Sequence, residues 1–315
     1  MDVDKPLRDS FPNPVARHFA ATRPAFLTVT FAGSLIGLGA AVADGVDIDA
    51  AKALVTILFA LITHAGANVI NDYFDALNGT DTLNTERLHP YTGGSRFIQN
   101  GFLSPAEMRR FGYLLLAAVI PGGLWLTVES GPTLLAIGLA GLLVAWAYSA
   151  PPFKLMSRGM GEVAITAGWL LVVLGTDYVQ RGEIAALPLV AGLPFALLVA
   201  AILFINQFPD RRADEAAGKR TLVVRLGPNT ASRGYGVLVA FAYLWLASAL
   251  VAGQLPPSAA IALLPAAFSI RAARQLLADA AYPARLVPPI RDKIAAANLS
   301  GLLLAIGLGA AGVFA

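Results

Sequence analysis

Apolar residues along this chain come in long unbroken blocks. They do not alternate as in a half-buried strand, nor form the single stripe of a soluble amphipathic helix. A membrane-spanning helix needs about 20 mostly apolar residues, and nine segments qualify, approximately 25–43, 51–70, 111–128, 132–150, 162–179, 186–206, 234–253, 258–275 and 294–314. The eighth is the weakest, because Pro256, Pro257 and Pro265 crowd it. The pattern predicts an all-α polytopic membrane protein with nine transmembrane helices around a central cavity. Long polar stretches follow the even-numbered segments, whereas the connections after the odd-numbered ones are short. Function is therefore expected at the end of the bundle where those stretches lie.

Charge gives that end a side. If the N-terminus and the connections after the even-numbered segments share one compartment, it holds all of the 23 basic residues except Lys52 and Arg181. The positive-inside rule makes that compartment the cytoplasm, so the cavity opens there, with the C-terminus external. Residues 1–24 carry Asp2, Asp4, Lys5, Arg8 and Asp9 and no short apolar stretch leading to a cleavage site, so they read as a retained cytoplasmic lead-in. Residues 25–315 are then expected to form the transmembrane domain of an integral membrane protein, with a bacterial inner membrane as its expected location.

Composition agrees. The chain is 57% hydrophobic and 14% charged over 315 residues, against about 25% charged in soluble domains. The lack of cysteine excludes disulfides, thiolate metal sites and cysteine nucleophiles. A net charge of +3 follows the topology and does not point to nucleic acid as a partner.

The chemistry-bearing residues gather at two segment ends. In "NVINDYFDALNGTD", at 100° per residue, His64, Asn68, Asn71, Asp72 and Asp75 form one polar stripe on the second segment extended by one or two turns, and Asp81 follows. Ionisable groups at membrane depth cost about 2.5–3.5 kcal/mol on insertion scales and face protein cavities. A solvated helix end would explain the acids but not the amides and the histidine. At the end of the sixth segment, "NQFPDRRADEAAGKRTL" places Asn206, Asp210 and Asp214 on one face if the helix continues, although Pro209 is expected to kink it. Lys219 and Arg220 follow at once. The match of "NVIND" to "NQFPD" suggests pseudo-repeat halves, approximately 25–150 and 162–275, each delivering one acidic tip.

Carboxylates and amides are hard oxygen ligands suited to magnesium, which binds through one or two carboxylates plus phosphates. Two converging clusters could hold two ions around a diphosphate, with Arg96, Lys154, Arg158, Lys219 and Arg220 neutralising the remaining phosphate charge. In "YSAPPFKLMSRGMGE", the Tyr148 ring could steady a carbocation through its π face. A belt tyrosine with snorkelling cations is the alternative there.

These stretches resemble a known family. "NDYFDALNGTD", "DRRADEAAGKRTL" and "YSAPPFKL" are similar to motifs of the UbiA superfamily of intramembrane aromatic prenyltransferases, over the chain from Arg23 onward. The resemblance implies magnesium-dependent transfer of a polyprenyl chain from polyprenyl diphosphate to an aromatic acceptor within membrane lipid. It implies metal and diphosphate ligands at Asn68, Asp72, Asp75, Asp210 and Asp214, with Asp81 in a variant position and Asn206 beside the second pair. The "GTD" ending and "YTGGSRFIQNGFLSP" look like the 1,4-dihydroxy-2-naphthoate branch of menaquinone biosynthesis. Another quinone precursor such as 4-hydroxybenzoate, or a lipid, is the alternative acceptor. His64 would hold the acceptor, act as a base, or pair with Asn68 as a structural histidine. From other classes, a secondary transporter would place polar groups deep in several helices, and a CDP-alcohol phosphotransferase would carry a compact Asp-rich signature that is absent here.

Overall fold

A computed structural model describes residues 13–313, so most of the acidic lead-in lies outside the described residues. The described chain is all helical. Helix α1 (Pro14–Ala21) is short and capped by the Asn13 side chain. A 3-10 turn at Pro24–Leu27 then leads into α2 (Thr28–Ala43). The following helices are α3 (Ala50–Asn78), α4 (Thr80–Leu83), α5 (Pro105–Ser130), α6 (Thr133–Ala147), α7 (Gly161–Arg181) and α8 (Ala186–Ala216). The chain closes with α9 (Leu222–Leu226), α10 (Pro228–Val251), α11 (Ala266–Asp279) and α12 (Val287–Val313).

Among the described residues, eight helical stretches are long and apolar enough to cross a membrane, and α6, at 15 residues, is a shorter ninth apolar helix. The protein is an integral membrane protein. The proline-crowded eighth segment is a 3-10 stretch, Pro257–Leu263, followed by α11, because Pro265 lacks the amide that would join the two.

Two of the helices outrun their apolar blocks. Helix α3 starts on Asp49, whose carboxylate caps the Ala51 and Lys52 amides, and runs past residue 70 until Gly79 ends it in the left-handed region. Helix α8 continues to Ala216. Pro209 removes one donor from its ladder, but the expected kink does not interrupt the helix. Both acidic tips are therefore helical, and their acids keep helical spacing.

Helix α2 packs on α7 and α12, α3 on α5, and α8 between α7 and α10. Without a water-driven hydrophobic effect between helices, close approach depends on small residues. A Cβ on Gly37 of α2 would lie 2.4 Å from the Val173 carbonyl of α7, and one on Gly312 of α12 would lie 2.0 Å from the Val42 carbonyl. At the end of the bundle opposite the acidic tips, Arg181 grips buried Asp177 with two 2.9 Å hydrogen bonds and reaches Asp44 of the α2–α3 connection at 2.8 Å. Removing one partner of a buried pair strands the other charge. Arg181→Ala should therefore destabilise the protein by about 3–5 kcal/mol, whereas Arg181→Ala with Asp177→Asn should recover part of the loss. Thermal unfolding in detergent checks this, and equal melting of the single and double variants would refute it.

Candidate active site

The tips of α3 and α8 meet under the connection between α4 and α5. Asp210 of α8 accepts hydrogen bonds from the Asn84 side-chain amide (2.6 Å) and the Gly93 backbone N–H (3.2 Å). Two residues further on, the Ser95 N–H donates to Asp72 of α3 at 3.1 Å. Consecutive Cα atoms are about 3.8 Å apart, so one short stretch of backbone ties both carboxylates to a single pocket. Gly94, between the two donors, has φ +69°, and a Cβ there would lie 2.9 Å from Asp72 Oδ1 and 3.1 Å from Asp81 Oδ2. Only glycine fits this cradle of acidic oxygens. Gly79 lets the chain turn from α3 into α4, which brings Asp81 beneath it.

Two cations neutralise part of this charge. Arg23, just ahead of the first span, forms an ion pair with Asp72 and donates to Asn71 Oδ1 at 3.3 Å. Lys219 is buried and lies 2.6 Å from Asp75 and 3.5 Å from Asp214. Asn71 links the set further, donating to Asp75 and Ser149, each at 3.1 Å. Burial and the neighbouring Asp75 push the Asp81 carboxyl up to about 7. Burial also lowers the Arg23 guanidinium, despite the carboxylates around it. For Lys219 burial pulls downward as well, but Asp75 and Asp214 outweigh it and its pKa is raised.

Below the ionic layer, a cavity of about 540 Å³ runs between α2, α3, α5, α6, α7 and α8. Its mouth carries Arg23, Asn68, Asn71, Tyr148 and Asn206, and its depth is mainly Leu, Val, Ile, Ala and Gly. Ions at one end and an apolar chamber beneath them suit an amphiphile with an anionic head and a hydrocarbon tail.

The structure thus brings together Asp72, Asp75, Asp81, Asp210, Asp214 and Lys219, with Asn68, Tyr148 and Asn206 at the cavity mouth. Asn68 donates to the Thr22 carbonyl at 3.0 Å and Asn206 to that of Tyr91 at 3.3 Å. His64 lies deeper in the wall and bonds Thr30, not Asn68. Arg96 is turned to the backbone, donating to the Asp81 carbonyl at 2.8 Å, and so braces the loop. Three expected cations stand elsewhere. Lys154 and Arg220 are exposed, and exposed Arg158 donates to the Pro152 carbonyl at 2.8 Å. Among the described residues, no three acidic or histidine side chains are arranged as a ready metal cage, since Arg23 and Lys219 stand between the carboxylates. Sequence reasoning missed Arg23, Asn84 and the Gly93–Ser95 amides. Arg23 had one visible signal, a cation against Pro24 at the mouth of an apolar block; Gly93 to Ser95 lie in the quoted "YTGGSR" stretch, whose resemblance did not reveal their amides as donors, and Asn84 had no signal.

The sequence from residue 30 to residue 285 matches the UbiA prenyltransferase family. The chain belongs to that family. Among curated relatives, the 1,4-dihydroxy-2-naphthoate octaprenyltransferases of Bacillus subtilis and Escherichia coli are 24% and 27% identical to it, each over 91% of this chain and 90% and 92% of their own. The UbiA prenyltransferase domain-containing protein 1 of Xenopus tropicalis is 29% identical over 85% of this chain and 77% of its own. Among solved structures, a UbiA homologue from Archaeoglobus fulgidus bound to DMAPP and Mg2+ superposes with a TM-score of 0.61 at 16% identity, covering 92% of this chain and 99% of the homologue. The shared fold with the family match makes this UbiA-family protein a prenyl-transferring membrane enzyme.

The Gly94 cradle can be tested directly. Gly94→Ala meets both a strained φ and the two carboxylates, whereas Gly101, at φ +70°, has nothing within 4 Å of its would-be Cβ. Gly101→Ala should cost only the left-handed strain, about 1 kcal/mol, and Gly94→Ala distinctly more. Equal unfolding midpoints for the two variants would refute the cradle.

Proposed function

We propose that this UbiA-family enzyme transfers a polyprenyl chain from polyprenyl diphosphate to an aromatic acceptor, 1,4-dihydroxy-2-naphthoate, in quinone biosynthesis. The observation that carries the reading is the pairing of Asp72 and Asp210 with Ser95 and Gly93, which sets both acidic tips over the mouth of one apolar cavity. The naphthoate acceptor is supported by the names of relatives matched over nine-tenths of the chain. A transporter would line its path with polar groups at several depths, whereas here the charged groups that border the cavity collect at its mouth.

The donor set fits a divalent ion. Five carboxylates with the Asn68 and Asn71 amides offer hard oxygens, and the oxygens of Asp72 and Asp81 already converge around Gly94. Asp72, Asp75, Asp81, Asp210 and Asp214 would hold magnesium, two ions in this proposal. When bound, magnesium offsets the charge on a leaving diphosphate.

The chain's own residues do the rest. Lys219 and Arg23, already inside the cluster, take the phosphate oxygens through charge-assisted hydrogen bonds. The carbon–oxygen bond of the prenyl diphosphate breaks and its electron pair leaves with the diphosphate. The allylic cation that remains is screened from water by the apolar walls, and the Tyr148 ring offers it a π face. The acceptor ring supplies the electrons of the new carbon–carbon bond, then loses carbon dioxide from the attacked carbon as it regains aromaticity. The tail lies along the apolar cavity. In this proposal each half of the chain, 25–150 and 162–275, supplies one acidic tip. The acidic end faces the cytoplasm of a bacterium, where the basic loops collect.

Purified protein with magnesium, a labelled prenyl diphosphate and a panel of aromatic acceptors, read by product mass, tests the reading. No prenylated aromatic product would overturn it. Asp72→Ala and Asp210→Ala should each lower turnover by about a hundredfold or more. Lys219→Met should raise the KM for the prenyl diphosphate about tenfold, whereas Lys154→Ala, at an exposed site, should leave it unchanged. The reverse ranking of the two lysines would show that the diphosphate lies at the Pro151–Arg158 loop instead.

A further inference from the structure

His64 is the one titratable side chain of the cavity wall, among the described residues, that lies below the ionic layer. It projects from α3 two turns below Asn71 and lines the same cavity as Thr63, Ala67 and Ile165. Two contacts fix its ring. Nδ1 lies 2.8 Å from the Thr30 hydroxyl of α2, and the ring meets Trp169 of α7 edge to face, with centroids 4.9 Å apart at 87°. No described residue bonds its other nitrogen, Nε2. A histidine steered by two neighbouring helices, with one nitrogen left for the chamber, is arranged to receive a ligand group.

We infer that His64 is the positioning residue that grips a ring hydroxyl of the aromatic acceptor, on the ring edge away from the carbon that is prenylated. The inference rests on the prenyl transfer to an aromatic ring proposed above. Seven residues of helix separate His64 from Asn71, an axial distance of about 10 Å. A forming bond of about 3 Å, a ring with its oxygen of about 4 Å and a hydrogen bond of about 3 Å fill that span. The acceptor then lies between the ionic layer and His64 with its attacked carbon toward Asn71. A hydroxyl suits either tautomer of the imidazole, donating to a bare Nε2 or accepting from a protonated one. An unsubstituted ring position offers Nε2 nothing, and an organised polar group left unpaired penalises the analogue. Thr30 and Trp169 act through His64 by holding its ring.

The test is steady-state kinetics with magnesium and prenyl diphosphate, comparing 1,4-dihydroxy-2-naphthoate with 1-hydroxy-2-naphthoate, which lacks one hydroxyl. In the wild type the missing hydroxyl should raise the acceptor KM about tenfold. His64→Phe keeps a ring but loses the hydrogen bond, so it should raise the KM for the dihydroxy acceptor about tenfold and no longer distinguish the two compounds. The KM for prenyl diphosphate should stay unchanged, and His64→Gln should restore part of the preference. Thr30→Val frees the ring and should give an intermediate loss; it carries the same comparison if His64→Phe does not fold. Variants that keep the wild-type preference, or that raise both KM values alike, overturn the inference while prenyl transfer stands. A wild type that prenylates neither compound, nor any other aromatic acceptor, overturns the proposed function and this inference with it.

Discussion

Carboxylates crowded at the edge of a membrane repel one another, and each costs energy to remove from water. The site holds together because Arg23 and Lys219 sit among them and because backbone and amide donors from one loop bond Asp72 and Asp210. Breaking such a buried set leaves an uncompensated charge, which ties every surrounding element to its present place. Helices α3 and α8 must outrun their apolar blocks to bring the acids up, and the α4–α5 connection must fold back over them. Gly94 must stay without a side chain.

The same constraint divides the molecule by polarity. The ionic layer lies at one end of the bundle, and the chamber beneath it is lined mostly by aliphatic side chains. Charges held in a low-dielectric setting act strongly over short range, so an anionic head is captured at the mouth while a hydrocarbon chain follows the apolar wall. The opposite end of the bundle is fastened by a separate ion pair, Asp177 with Arg181, which supports the helices without taking part in the chamber. Reactive and structural charges are thus kept apart by the thickness of the bundle.

Much of this was legible in the sequence, and the unread part has a common cause. Helix positions follow from block length, and the acidic tips from helical spacing within "NVINDYFD" and "NQFPDRRAD", both local signals. Lys154 and Lys219 read alike in sequence, each a cation shortly after a helix end. Only the path of the chain puts one in the pocket and leaves the other exposed. Arg23 finds Asn71 across 48 positions, Gly93 finds Asp210 across 117 and Asn84 finds it across 126. No periodicity encodes pairings at that range. The His64 pairing failed for the same reason, since its partner Thr30 belongs to another helix while Asn68 is merely the next polar residue on its own.

The short helix α6 carries a consequence for the surrounding lipid. Its 15 residues reach about 22 Å at 1.5 Å per residue, well under the roughly 30 Å of a typical hydrocarbon layer. A difference of that kind is met by thinner lipid or by flanking residues that reach outward, at a fraction of a kcal/mol per ångström. Gly138 and Gly141 also leave this wall of the chamber thin, with nothing within 4 Å of a would-be Cβ at either position. The wall of the chamber is therefore shortest and slightest at the same place, so the lipid-facing boundary of the cavity is weakest along this one helix.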